Sequence, residues 1–99
     1  MSDINASEAR RLAVQLLSAN DDGAMRIDDR QTTERDFGWV FIAESDAYLR
    51  TGDPKEQIPG VGPIVVARDR GDAAFVPTNR PPEVGIEKFA SEWRARQGY

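Results

Sequence analysis

The sequence predicts an α+β domain in which an antiparallel sheet of about four strands packs against an N-terminal and a C-terminal helix. Both ends of the chain repeat apolar residues at helical spacing, and the middle contains short β-branched or aromatic runs. Turn residues separate these runs closely enough for hairpins. At 99 residues the chain supports one core, so we expect residues 1–99 to form a single domain.

Each terminal helix is predicted from one apolar stripe. Asp3 or Ser7 is the expected cap of the first helix, and Gly23 is expected to follow its end. The second helix is expected from about Glu83 to Gln97. The two stripes consist of Ala9, Leu12, Ala13, Leu16 and Leu17 in the first helix and of Ile86, Phe89, Ala90 and Trp93 in the second.

Four strands are expected between these helices, over 24–33, 37–43, 64–67 and 73–76. The second is apolar on both faces, which is typical of a central strand: Phe37, Trp39, Phe41 and Ala43 on one side and Gly38, Val40 and Ile42 on the other. A short helical turn that ends at Gly52 separates the two strand pairs. We expect both terminal helices to pack on one face of the sheet.

The composition excludes several classes of chemistry. A net charge of −4 argues against binding to nucleic acid or to an anionic membrane. The absence of His and Cys removes the usual general base, thiol nucleophiles and the commonest transition-metal ligands. We therefore expect no enzymatic activity, no cofactor and no metal. The first five residues lack a signal-peptide pattern and no apolar run could span a membrane, so we expect a cytoplasmic protein.

Acidic residues are concentrated between the first helix and the central strand: Asp21, Asp22, Asp28, Asp29, Glu34 and Asp36. One interpretation is a docking surface for the basic cleft of a partner, because complementary charge speeds encounter and selects partners. The alternative is a solvated edge strand whose charges prevent edge-to-edge aggregation. A metal or acid–base site is the weaker prediction, since the segment matches only a fragment of a calcium-binding loop.

Two further features are candidates for partner contact. Most of the aromatic residues are predicted to be core, but Trp39 is the one to test as an interface anchor. The loop from Asp53 to Gly62, which includes Glu56 and Val61, could lie against a partner. The glycines that flank Val61 open a strand and have no accompanying lysine, which favours a tight turn over a phosphate-binding loop.

The order of several short motifs resembles a known family. They are Gly38-Trp39-Val40-Phe41, Tyr48-Leu49-Arg50-Thr51-Gly52 and Gly60-Val61-Gly62-Pro63-Ile64-Val65-Val66. In this order the chain resembles the YrhB-like domain, or immunity protein 35, of bacterial polymorphic toxin systems. The resemblance implies a small cytosolic α+β protein that neutralises a toxin by binding it and has no catalytic residues. Val61 stands where the family usually has Asn, and Pro77-Thr78 only approximates a further family motif.

The sequence therefore predicts an immunity protein that occludes the active site or substrate channel of a cognate toxin, acting as a monomer or weak homodimer. A chaperone-like or housekeeping interaction domain without a dedicated toxin is the alternative. An enzyme that uses carboxylates alone is the minority hypothesis. The residues predicted to contact the partner are Asp21, Asp22, Asp28, Asp29, Glu34, Asp36, Trp39, Glu56 and Val61.

Overall fold

A computed structural model of the chain describes residues 3–20, 23–58 and 61–98. The α+β class is confirmed. The helices are α1 (Ala6–Ala19), α2 (Asp46–Thr51) and α3 (Pro82–Arg96). The strands are β1 (Met25–Ile27), β2 (Thr33–Arg35), β3 (Gly38–Phe41), β4 (Ala43–Ser45), β5 (Ile64–Ala67) and β6 (Ala73–Phe75). Short 3₁₀ turns cover Asp29–Gln31 and Pro54–Glu56.

Four of the strands form an antiparallel sheet in the order β2-β3-β5-β6. β3 lies between β2 and β5, so the prediction of a central strand there is confirmed. The hairpin of β5 and β6 is also confirmed, and it places Val65 opposite Ala74. β1 and β4 form a separate antiparallel ribbon in which Ile27 pairs with Ala43.

One helix covers each face of the four-stranded sheet. The α1 face contains Ala9, Ala13, Leu17, Met25, Ile27, Trp39, Phe41, Ala43, Ile64 and Val66. The α3 face contains Phe37, Val40, Val65, Ala67, Val76, Ile86, Ala90 and Trp93. The prediction that both helices share a face is wrong. Because β3 and β5 are buried at every position, neither face of the sheet can be left in water.

Two of the expected strands are interrupted. Residues 24–33 are not one strand, because Asp28 caps the 3₁₀ turn that separates β1 from β2. The second expected strand breaks at Ile42, where β3 ends and β4 leaves to pair with β1. Phe37 lies before β3 and belongs to the α3 face rather than to the face of Trp39. Its position was mispredicted because strand alternation does not apply within the preceding turn.

The ends of the helices depend on local caps. Asn5, rather than the predicted Asp3 or Ser7, caps α1, and its side-chain oxygen accepts a hydrogen bond from the amide of Glu8 at 2.8 Å. The prediction for Gly52 is confirmed: it ends α2 with a φ of 72°, a conformation that glycine adopts at little cost.

Candidate functional site

The predicted acidic segment is not a uniform charged surface. Asp28 is only 5% exposed, and its carboxylate accepts hydrogen bonds from the Gln31 side chain at 2.9 Å and from the Arg30 side chain and amide at 3.2 Å. The hydrogen bond from Gln31, followed by that from Arg30, lowers the pKa of the Asp28 carboxyl. The Asp28 amide donates to the carbonyl of Ile42 at 2.8 Å. Asp28 therefore joins the 3₁₀ turn to the end of β3.

The other described acids of the segment are paired with arginines from different elements. The Asp29 carboxylate accepts hydrogen bonds from Nε and Nη2 of the Arg10 guanidinium at 2.7 and 3.0 Å. Oε2 of Glu34 lies 3.1 Å from Nη2 of Arg68. Asp36 accepts from Arg94 at 2.8 Å, and this hydrogen bond lowers the pKa of Asp36. These pairs link α1, α3 and the β5–β6 hairpin to the segment, and they neutralise much of its charge. Asp21 and Asp22 lie outside the described residues.

Trp39 is a core residue of this chain. Its side chain is only 5% exposed and lies in the cluster beneath α1. The guanidinium of Arg68 lies 5.1 Å from the ring centroid, close enough for a cation–π contact. The same arginine donates to the carbonyls of Arg35 and Asp36. Trp39 and Arg68 therefore join the core to the turn between β2 and β3.

Two of the predicted contact residues, Glu56 and Val61, lie on one surface. Val61 is half-buried and lines a depression with Gln57 and Ile58, and Glu56 and Ile58 line the next depression. A third depression, lined by Asp28 among others, also includes Gln57. We call this surface the Gln57 surface and define it by Ile42, Glu44, Tyr48, Glu56, Gln57, Ile58 and Val61.

A buried serine hydroxyl holds the Gln57 surface in place. Ser45 is the last residue of β4 and the cap of α2, where its hydroxyl oxygen accepts from the amide of Tyr48 at 2.9 Å. The same hydroxyl donates to the carbonyl of Glu56. Asp53 caps the following 3₁₀ turn by accepting from the amide of Lys55 at 3.0 Å. The segment that carries Ile58 is thus fastened to the sheet and to α2.

The Gln57 surface combines an exposed apolar side chain with unpaired carboxylates. Ile58 is 44% exposed, although it is a large hydrophobic residue. Among the described residues, no lysine or arginine lies within 4 Å of the carboxylates of Glu44, Asp53 or Glu56. Lys55 is the cation of the same turn. Among the described residues, the carboxylates of this region are therefore unpaired, whereas Asp28, Asp29, Glu34 and Asp36 of the predicted segment each pair with an arginine.

Sequence reasoning missed Glu44, and it predicted Gln57 and Ile58 only as unnamed members of the loop from Asp53 to Gly62. Ile58 carried a usable signal, because an isolated large aliphatic residue in a loop between prolines has no periodic pattern that would bury it. Glu44 carried none, since its place follows from the pairing of β4 with β1. The Val61 side chain packs partly against the α1 face and partly lines the surface.

In residues 3–20, 23–58 and 61–98, no three Asp or Glu side chains are grouped closely enough to hold a metal ion. Within the same ranges, no helix has the length and apolar character needed to cross a lipid bilayer. The geometry is that of a small α+β scaffold that presents a shaped, acidic and partly apolar surface.

The comparison with protein families gives the family. The family described as Immunity protein 35 matches residues 7–96, so this chain belongs to that family. The family description points to a toxin-neutralising role, with a toxin as partner. The chain is also similar to "Uncharacterized protein YrhB" of Escherichia coli (strain K12), at 29% identity over 52 residues, or 52% of this chain. The match spans only 55% of that protein's length. No solved structure matches the chain.

Proposed function

We propose that this chain neutralises a cognate toxin by covering its active site or substrate channel with the Gln57 surface. The observation that carries the proposal is Ile58, a large aliphatic side chain that is 44% exposed and flanked by the unpaired carboxylates of Glu44 and Glu56. An apolar anchor inside a polar, charged rim is the usual organisation of a protein interface.

The rigidity of the surface supports tight binding. Ser45 fastens the Ile58 segment before any partner arrives, so little conformational entropy is lost on association. A specific interface of standard size buries about 1,200–2,000 Å². Ile58 and the adjoining depressions supply its centre, and Glu44, Glu56 and Val61 lie around it.

The proposal assigns different roles to the acids of the chain. Glu44 and Glu56 steer the encounter with a basic cleft, because their charges are not matched within the described residues. Asp29, Glu34 and Asp36 keep the helices and the sheet in register through their arginine partners. A steering role for Asp21 and Asp22 stays a prediction.

The proposal is tested by co-expressing the chain with a candidate toxin taken from the neighbouring genes. We expect protection of the host and co-elution of a stoichiometric complex. Ile58→Asp is expected to weaken the complex about 30-fold or more, as for a central anchor. Val14→Asp is the matched control, since Val14 is a similarly exposed aliphatic residue on α1, 36% exposed, and no part of the surface.

The outcomes separate the hypotheses. Persistent toxicity without a complex, or equal effects of the two variants, contradicts the proposed surface. Recovery of many weak clients and no stoichiometric partner favours the chaperone-like alternative. Weakening of the wild-type complex by salt indicates that charge contributes to binding, whereas a salt-independent complex assigns the affinity to the apolar anchor.

A further inference from the structure

A groove of about 540 Å³ lies between β6 and α3, apart from the Gln57 surface. Helix α3 packs on β5 and leaves the adjoining face of β6 bare. The apolar residues that line the groove are Val65, Ala74, Phe75, Val76, Val84 and Phe89. Val84 is 45% exposed, the highest fraction among the large aliphatic residues described. Nothing in the proposed toxin contact uses this groove.

β6 also presents unused backbone hydrogen-bonding groups. The amide of Val76 donates to Pro63 at 2.7 Å, and the carbonyl of Asp72 accepts from Ala67 at 2.8 Å. Because bonding direction alternates along an antiparallel strand, the N–H and C=O groups of Ala73 and Phe75 point away from β5. Among the described residues we find no hydrogen-bond partner for them. The groove is therefore bordered by an open strand edge.

The shape of the groove favours a strand with large side chains. Ala74 is small and exposed, so a strand added to β6 could extend a bulky side chain across it towards Val84 and Phe89. A second copy of β6 fits less well. Its symmetric pairing would place Ala74 opposite Ala74 and leave the groove unfilled.

The charged residues at the groove indicate which charge its ligand carries. The charged residues that line it are Arg80, Lys88 and Glu92, and neither of the two cations has a carboxylate within 4 Å among the described residues. Every other arginine in the chain has a carboxylate within 4 Å. In a chain of net charge −4, two unpaired cations beside an apolar groove are complementary to an acidic ligand.

The direction of the ligand follows from the direction of α3. The first turn of α3 lies at the C-terminal end of β6, where a Cβ on Gly85 would sit 2.6 Å from Cγ1 of Val76. The last turn lies at the other end, with Arg96 3.4 Å from Asp72. Lys88 therefore lies nearer the C-terminal end of β6 than Glu92 does. An antiparallel strand added to β6 begins at that cationic end.

We propose that the edge of β6 and the adjoining groove bind an extended peptide segment in antiparallel orientation, with large apolar residues at alternate positions and acidic residues at its N-terminal end. The backbone of the segment pairs with Ala73 and Phe75, its apolar side chains fill the groove, and its carboxylates face Arg80 and Lys88. This mode is strand addition to a sheet edge. It is independent of toxin binding by the Gln57 surface.

The test uses the full chain and a labelled seven-residue peptide, two glutamates followed by alternating leucine and threonine. Fluorescence anisotropy measures affinity, and amide hydrogen exchange measures protection. We expect the peptide to slow exchange at the amides of Ala73 and Phe75. Lys88→Glu is expected to weaken binding about tenfold, as reversal of a contacting charge should. Lys55→Glu, which removes an unpaired cation that does not line the groove, is the matched control and should bind like wild type.

Two control peptides complete the design. One has lysines in place of the glutamates, and the other is the same sequence reversed; both should bind more weakly. The proposal is overturned if the lysine peptide binds equally well, or if no peptide binds at about 1 mM, the weak end of the specific range. Protection of Ala73 and Phe75 that rises with protein concentration alone would show that a second copy occupies the edge. If the toxin complex still forms with Lys88→Glu, toxin binding does not depend on the groove. The peptide result then neither supports nor contradicts toxin binding by the Gln57 surface.

Discussion

Replacing Ser45 with alanine tests how the Gln57 surface is held in place. The Ser45 hydroxyl is 2% exposed, accepts from the amide of Tyr48 at 2.9 Å and donates to the carbonyl of Glu56. Loss of a helix N-cap costs about 1 kcal/mol, and loss of a buried hydrogen bond costs about 1 kcal/mol more. We therefore expect the free energy of unfolding to fall by about 2 kcal/mol.

Two measurements test this: urea unfolding gives the global stability, and amide hydrogen exchange of the folded protein gives the local opening of the segment. With a urea m-value of about 1 kcal/mol/M, the midpoint of Ser45→Ala should fall by about 2 M with little change in slope. Exchange should accelerate in the segment that carries Glu56 and Ile58, because that segment loses its link to the sheet. Ser91→Ala, at an exposed position of α3, is the control and should stay within about 0.5 kcal/mol of wild type. A loss below 0.5 kcal/mol for Ser45→Ala would refute the argument.

Two further predictions concern the loss of stability at low pH and the replacement of Gly62. The pKa values of the Asp28, Asp29 and Asp36 carboxyls are lowered in the folded chain, so these ionised groups stabilise the fold fully above about pH 4. This contribution to the free energy of unfolding is lost as the pH falls through the folded pKa values. Urea unfolding at pH 7 and at pH 3 should show the loss, and the difference between the two pH values should be smaller for Asp28→Asn. A chain whose stability is unchanged at pH 3 contradicts these ion pairs. A Cβ at Gly62 would lie 1.9 Å from the Val76 carbonyl oxygen, so Gly62→Ala should cost several kcal/mol by thermal unfolding. A Gly62→Ala melting temperature close to that of wild type would show that the loop can move aside.

The elements with a strong hydrophobic periodicity were predicted correctly from the sequence. The elements whose bounds depend on which strands pair were misplaced. The stripes of α1 and α3 and the β-branched run at Ile64 specify burial directly, since each side chain's direction follows from the local period. The interruption at Asp28 was not predictable, because the Asp28 amide donates to the carbonyl of the distant Ile42 while the Asp28 carboxylate accepts from the Gln31 side chain. Which strand β4 pairs with is likewise decided between distant residues.

The candidate site shows the same division. Glu56 and Val61 belong to the loop that the sequence predicts as a partner contact, and the fold brings both onto one surface. The acids from Asp28 to Asp36 were chosen by their density along the chain. The clustering of acids along the sequence does not predict which carboxylates lie close to an arginine in the folded chain. The pairing of Asp36 with the distant Arg94 could therefore not be predicted.

The sequence by itself determined the α+β class, the absence of thiol and imidazole chemistry and the resemblance to a family of toxin-neutralising proteins, because these follow from residue types and local spacing. Only the tertiary structure decided that the two helices lie on opposite faces of the sheet and that unpaired charge collects around Ile58 and beside Lys88. The physical reason is that ion pairing and burial depend on distances between residues far apart in the chain, and those distances exist only once the strands have paired.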